Sequence, residues 1–394
     1  MCACGTASAQ VKWTFGGFST LAAVHSTERQ ADYTASPVAP GQAGYGKDWA
    51  FDVDSRAGAQ LNAQFDKHWS AVVQVVEEKG VAHAYEPHLE WANVKYQVTP
   101  ELSVRLGRIA LPLFLAADYR KATYALPWLR TPVELYSLLP ISTNDGIDAA
   151  YRWNAWGARQ ETQITFGGGT LHLTPEIRGK SRNAFAITHT ATAGALTMKA
   201  TASATTIEID GTEAFFSALR SFGPPGDALA DRYDIASRRV TMLSAGFSYD
   251  PGKYFLMGEI GRINTRSLLG DQTAGYLSAG YRFGALAPYV TVASVDANMP
   301  TETRGLPIAD LAPEAAGLAA SLNGALNTQL HAIGIQEAVS IGVRWDIVTN
   351  YAFKAQLDRV RPRRGSIGTL IDVQPGFRSG QAFGVVSAGI DVVF

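Results

Sequence analysis

Residues 48 to 65 alternate with a period of two. Trp49, Phe51, Val53, Ala57, Ala59, Leu61, Ala63 and Phe65 fall on one side, and Asp52, Asp54, Arg56, Gly58, Gln60, Asn62 and Gln64 on the other. That period places successive side chains on opposite faces of a β-strand. At about 3.3 Å per residue the run extends for roughly 55 Å, far beyond the usual strand of a soluble sheet. A strand of this length, apolar on one face and polar on the other, suits the wall of a barrel. The same pattern ends the chain, where Gly384, Val386, Ala388, Ile390, Val392 and Phe394 face one way and Val385, Ser387, Gly389, Asp391 and Val393 the other.

Sixteen such segments can be traced, at 10–27, 48–65, 69–78, 86–97, 102–109, 146–153, 158–166, 183–190, 195–208, 240–249, 254–265, 272–283, 287–296, 333–346, 351–360 and 381–394. They come in pairs joined by short turns rich in Asn, Asp, Pro or Gly, such as Asp250-Pro251-Gly252-Lys253, and the pairs are separated by longer loops. An even strand number with short turns on one rim and long loops on the other is the plan of a bacterial outer-membrane barrel. The expected fold is therefore all-β: a sixteen-stranded antiparallel transmembrane barrel with short periplasmic turns and long outer loops. Hydrocarbon offers no water to an open sheet edge, so the last strand must pair with the first, and Phe394 becomes part of the seam. In 86–97 the residues Leu89, Trp91 and Val94 break the alternation, which predicts a bulge.

Composition agrees with this class. Of 394 residues 46% are hydrophobic and 18% charged, which excludes disorder, and 34 Lys and Arg against 35 Asp and Glu give no general affinity for nucleic acid. Polar residues interrupt every apolar run, so no helix of about 20 apolar residues is available to span a bilayer. Cys2 and Cys4 provide neither a disulfide framework nor a zinc site. Ala7-Ser8-Ala9 has the small-x-small pattern of an export-signal cleavage site, so residues 1–9 are read as the remnant of such a signal and 10–394 as the barrel domain.

Aromatics gather beside the short turns: Phe65 and Trp69, Tyr96, Trp153 and Trp156, Phe247, Tyr249 and Tyr254, Tyr281, Phe283 and Tyr289, Trp345, Tyr351 and Phe353, then Phe394. Rings that combine an apolar body with a polar tip favour the water–lipid boundary, so these residues predict a girdle at one membrane surface.

With sixteen strands, a terminal Phe and the Gly107-Arg108 strand end that opens a long loop at Ile109–Asp145 containing Ala110-Leu111-Pro112-Leu113-Phe114, the chain resembles the proteobacterial general porins. The resemblance spans essentially the whole chain. It implies that the third loop folds inward to narrow the channel, that barrels associate as homotrimers, and that small hydrophilic solutes cross passively. The family also has members selective for phosphate or carboxylates.

The residues support an inward loop. A loop of that length must pack on something, and Leu111, Leu113, Phe114, Leu126, Trp128, Leu135 and Leu138 make it apolar. Thr131-Pro132-Val133-Glu134 predicts a short helix near 132–139 with Thr131 as its cap and Glu134 reaching back. From the loop, Asp118, Arg120, Lys121, Arg130, Glu134 and Asp145 are candidates for one side of a constriction. Strand phase offers Arg56, Arg105, Arg152, Arg159, Arg282, Arg344 and Lys354 for the other, matched by Asp52, Asp54, Asp148, Glu161, Glu259, Asp346 and Asp358, so no overall ion preference follows. The constriction set is Asp118, Arg120, Lys121, Arg130, Glu134, Asp145, Arg56, Arg105, Arg152, Arg344 and Lys354.

Other features carry less. Arg359, Arg361, Arg363 and Arg364 sit at the start of the last outer loop, where they can meet anionic lipid headgroups or anionic solutes. Gly167-Gly168-Gly169 reads as a flexible loop, and 313–326 as a short helix beginning near Pro313. The seven histidines show no zinc-ligand spacing and there is no Gly-x-Ser-x-Gly elbow, although His189 and Ser203 fall on neighbouring strands. No catalytic residue, metal or cofactor is expected. The expectation is an outer-membrane diffusion channel for small hydrophilic solutes or ions, surrounded by outer-membrane lipid and lipopolysaccharide; an anion-selective channel or a plugged barrel enzyme is the alternative.

Overall fold

The computed structural model describes residues 11–36, 38–139, 141–174 and 177–394; the expected export remnant at 1–9 lies outside these. Sixteen strands close into one antiparallel barrel: β1 (Lys12–Ser26), β4 (Arg56–Gln64), β5 (Trp69–Lys79), β6 (Tyr85–Gln97), β7 (Leu102–Ala110), β8 (Thr143–Ala155), β9 (Ala158–His172), β10 (Arg178–Ala193), β11 (Leu196–Ile209), β12 (Ser237–Tyr249), β13 (Tyr254–Asn264), β14 (Gln272–Tyr281), β15 (Leu286–Ala297), β16 (Gln336–Val348), β17 (Tyr351–Pro362) and β18 (Phe383–Val393). Two short strands, β2 (Asp32–Tyr33) and β3 (Ala43–Gly44), pair within the first outer loop.

The seam is β1 against β18, from Phe18 opposite Val393 to Ser26 opposite Val385. Phe394 extends it: Gly17 N donates to the Phe394 carbonyl at 2.9 Å, and Phe394 N to the Gly17 carbonyl at 3.1 Å. Gly17 leaves room for this residue, since a Cβ there would lie 2.4 Å from the Phe394 ring. The wall is apolar outside and polar within. Leu21 is 73% exposed beside Thr20 at 1%, and Val386 and Ile390 face out while Ser387 and Asp391 are buried on the lumen side. The β8–β9 turn has Trp156 and Gly157 both at positive φ, 53° and 71°, as a two-residue hairpin matched to strand twist requires.

Most of the expected strands agree with the observed ones, and the expected bulge is found in β6, where the register against β5 skips from Trp91 to Leu89. Four readings change. The run 48–65 is not one strand: β4 begins at Arg56, because Asp52 and Asp54 leave the ladder to pair with Lys47, Lys79 and Arg130. Gly167–Gly169 belongs to β9, paired along β10 with a shift opposite Ser181 and Ala184. Tyr289 leaves the girdle and points inward, donating to Gln356 Oε1 at 2.7 Å. The third-loop helix is only α1 (Val133–Tyr136); Thr131 makes no side-chain cap, and Glu134 accepts instead from Gln336 Nε2 at 2.7 Å.

The outer loops hold three further helices, α2 (Glu213–Arg220), α3 (Pro224–Tyr233) and α4 (Pro313–His331), the last longer than its Ala-rich start suggested. Phe216, Leu219 and Tyr233 pack with Leu322, Leu326 and Leu330 to join the fifth and seventh loops in one apolar cluster.

Candidate functional site

The third loop, residues 111–142, enters the lumen and lies on one side of it. Its first arm is held by inward side chains of four successive strands. Thr188 (β10) and Thr201 (β11) donate to the Pro112 carbonyl at 3.2 and 3.3 Å, Ser244 (β12) to the Leu113 carbonyl at 2.6 Å, and Lys199 (β11) to the Phe114 carbonyl at 2.7 Å. Glu259 (β13) accepts from Leu115 N at 2.6 Å and from the Tyr136 and Tyr276 hydroxyls at 2.8 Å each. This first stretch, outside any helix or strand, must find partners for its backbone groups, and the barrel wall supplies them.

The second arm is clamped by charge. Lys354 donates to the carbonyls of Thr123 at 2.6 Å and Trp128 at 2.8 Å and pairs with Asp391 at 2.8 Å. Arg344 holds the carbonyls of Tyr124 and Leu126. Arg130 bonds Asp54 at 2.6 Å, Asp358 at 2.9 Å and the Ser387 hydroxyl at 2.6 Å; these carboxylates hold its guanidinium well above its ordinary pKa against the opposing effect of burial. Between the arms, Leu113, Phe114, Trp128, Leu135 and Leu138 pack against Met242, Met257, Tyr276 and Tyr289. The loop thus covers the inner face of β12–β15 with an apolar layer.

The other edge of the loop faces β4–β9 across a band of charged side chains. Lys121 pairs with Glu78 there, with Arg56 at 3.9 Å and His88 at 4.0 Å from the same carboxylate. His88 also lies 3.1 Å from Glu90, and Glu78 and Glu90 are the electrostatic neighbours of Arg120. Further along, Asp118 acts on Arg105 and Lys199, Arg105 donates to both oxygens of Asp148 at 3.0 Å, and Arg152 pairs with Glu161.

The sequence-predicted residues therefore separate into three places. Asp118, Arg120 and Lys121 on the loop edge and Arg56, Arg105 and Arg152 on the wall come together in one charged band. Arg130, Glu134 and Lys354 are buried beneath the loop, and Arg344 is held against it by two carbonyls. Asp145 is a correction: its register opposite Arg108, between inward Asn144 and Gly146, turns it to the outer face of the wall, where it bonds Arg108 at 2.6 Å. Asp52 and Asp54 belong to the first loop, and Arg282 to a short turn with Asp250 at 2.7 Å. Glu78, His88, Glu90 and Lys199 were not anticipated. Glu78 follows inward Val72 and Val76, which disguise the polar face of β5, and Glu90 sits at the bulge.

His189 and Ser203 do not form a pair. Ser203 is opposite Ala186 on the lumen side, whereas His189 is turned outward, its ring 5.6 Å from Trp153 and its nitrogens bonded to Thr162 and Gln160. Among the described residues no group of His, Cys, Asp and Glu is arranged to hold a metal ion.

No protein-family model and no curated protein matches the chain. Solved structures do. The anion-selective porin from Comamonas acidovorans is 13% identical over 98% of this chain and 100% of its own, with a TM-score of 0.54. OmpF of Salmonella typhi, in complex with daunomycin, is 13% identical over 97% and 98%, with a TM-score of 0.56. OmpT in its trimer form, an outer membrane protein of Vibrio cholerae, is 12% identical over 98% and 99%, with a TM-score of 0.54. At such identities the likeness establishes the fold alone: this chain shares the sixteen-stranded barrel of these structures.

Proposed function

We propose that the protein is an outer-membrane porin of a Gram-negative bacterium through which small hydrophilic solutes and ions diffuse passively. The carrying observation is the placement of the third loop: it is fixed to one half of the inner wall and leaves a charged strip of lumen beside β4–β9. A sixteen-stranded wall is wide enough for an aqueous path once one side is filled, whereas about eight strands would leave none. Opposed charges along a narrow aqueous path set the field that a permeant crosses. No step of bond making or breaking is part of this reading.

Bases outnumber acids around the strip. Arg56, Lys95, Arg105, Arg120, Lys121 and Arg152 face Glu78, Glu90, Asp118, Asp148 and Glu161. This favours anions over cations, and the neighbour described as an anion-selective porin supports that direction. The homotrimer is proposed from the neighbour described in a trimer form. The apolar outer wall fits a lipid surrounding. At its outer end Arg359 and Arg361 lie on the outward phase beside Glu337, suited to anionic headgroups such as those of lipopolysaccharide, while Arg363 and Arg364 turn to Asp296.

Liposome swelling with neutral sugars of graded size, together with reversal potentials across a salt gradient, tests the reading. Uptake that falls with sugar size and a reversal potential on the anion side are expected. Impermeability to the smallest sugar by correctly folded protein would overturn the channel, and a cation-side potential would overturn the selectivity alone.

A further inference from the structure

The outer end of the lumen wall is unexpectedly apolar. Ile207 lies opposite Ser181, Ile209 opposite Gly179, Val240 opposite Thr205 and Ile263 opposite Met242, all on inward positions of β10–β13. With Leu139 on the returning arm of the third loop and Leu269 from the loop after β13, they line a recess of about 240 Å³. Its apolar lining is bordered by a few polar groups. The Ser181 and Thr205 hydroxyls bond each other at 2.8 Å, and Gln272 donates from Nε2 to the Gly334 carbonyl at 2.8 Å, so what Gln272 presents is its Oε1 acceptor. Lys180, at the border, lies 3.7 Å from Asp210, which offsets its charge.

Ile209, Val240 and Ile263 are themselves buried, yet the space they border stays open, and an apolar group that fills it gains about 25 cal/mol per Å² of apolar surface covered. We propose that this recess is a binding site for a small neutral solute consisting of one aromatic or branched aliphatic group and a hydroxyl. Size and charge complementarity choose that occupant. An apolar cavity of about 150 Å³ accommodates benzene, so the 240 Å³ here holds a monocyclic ring with a short polar substituent. The absence of uncompensated charge at the lining disfavours an ion, and the Gln272 acceptor suits a hydroxyl donor. The role of the site, to hold such solutes at the channel entrance, rests on the porin reading; the binding itself does not.

Two measurements separate these. In planar bilayers, benzyl alcohol should produce partial, reversible block of the open channel that glycerol does not, and Leu139→Trp or Leu269→Gln, both outside the strands, should weaken it about fivefold or more. Equal block in wild type and both variants, or by both solutes, overturns the site. Crystals soaked in 4-bromobenzyl alcohol need no conduction: an anomalous bromine peak between Leu139 and Val240 is expected, and an empty recess contradicts the proposal. A silent bilayer with an occupied recess would defeat the porin reading and leave the site standing.

Discussion

Arg130 joins two carboxylates from distant parts of the chain, Asp54 and Asp358, in a buried cluster. Removing one partner of such a buried cluster strands the other charges and costs about 3–5 kcal/mol. Arg130→Met is therefore expected to loosen the third loop, seen as flickering single-channel current and a lower thermal unfolding midpoint; unchanged current noise would contradict the clamp. Glu134 has the opposite character. Burial, with Asp358 nearby, raises its carboxyl pKa despite Arg130 and the Gln336 amide. A carboxyl raised in the folded state contributes stability that is complete below the ordinary glutamate range and is lost as pH rises through the raised value. Loop closure noise should accordingly increase as pH rises above the ordinary glutamate range, and Glu134→Gln should flatten that dependence; an identical pH profile in the variant would refute it. At the loop edge, replacing Arg120 and Lys121 together by Glu should move the reversal potential toward cations by tens of millivolts at a tenfold gradient, a shift read directly in a bilayer.

At the scale of elements, the barrel closes through β1 and β18, and its last residue adds two backbone hydrogen bonds to Gly17. Hydrogen bonds of this kind contribute about 1 kcal/mol each, and more where an unpaired group would face hydrocarbon. Deleting Phe394 should lower refolding yield and the temperature at which the barrel's compact band is lost on gels by several degrees; equal heat resistance would place Phe394 outside the seam. The strands were legible because a lipid-facing wall enforces a period of two, and the outward Leu21, Val386 and Ile390 keep it visible. It failed at 48–55, where alternation survives in a loop whose Asp52 and Asp54 serve ion pairs. Of the site, the loop edge and Arg56, Arg105 and Arg152 followed from phase and loop length. The clamps did not, because sequence cannot distinguish a lumen charge that meets water from Lys354 or Arg130, which meet a folded-in loop. The helices α2 and α3 were missed although Phe216 and Leu219 fall on one face of α2 and Pro224 opens α3; both are short and are held by packing on each other and in one cluster with α4.

The whole molecule combines two surfaces that a soluble protein would not keep: an apolar exterior that needs lipid, and a polar interior too wide for its own side chains to fill. The third loop reconciles the interior by covering the apolar inner face of β12–β15 and leaving the charged strip along β4–β9 open. The central claim is that this uncovered strip is the route of permeation and the loop its narrowing. Single-channel conductance of the wild type against a variant in which residues 116–121 are replaced by a short Gly-Ser link tests it most directly. The account predicts stable ohmic steps for the wild type and steps about twofold larger for the variant, because a wider water-filled barrel conducts more. Equal conductance in the two proteins, or no steps from a wild-type barrel shown to be folded, would contradict it.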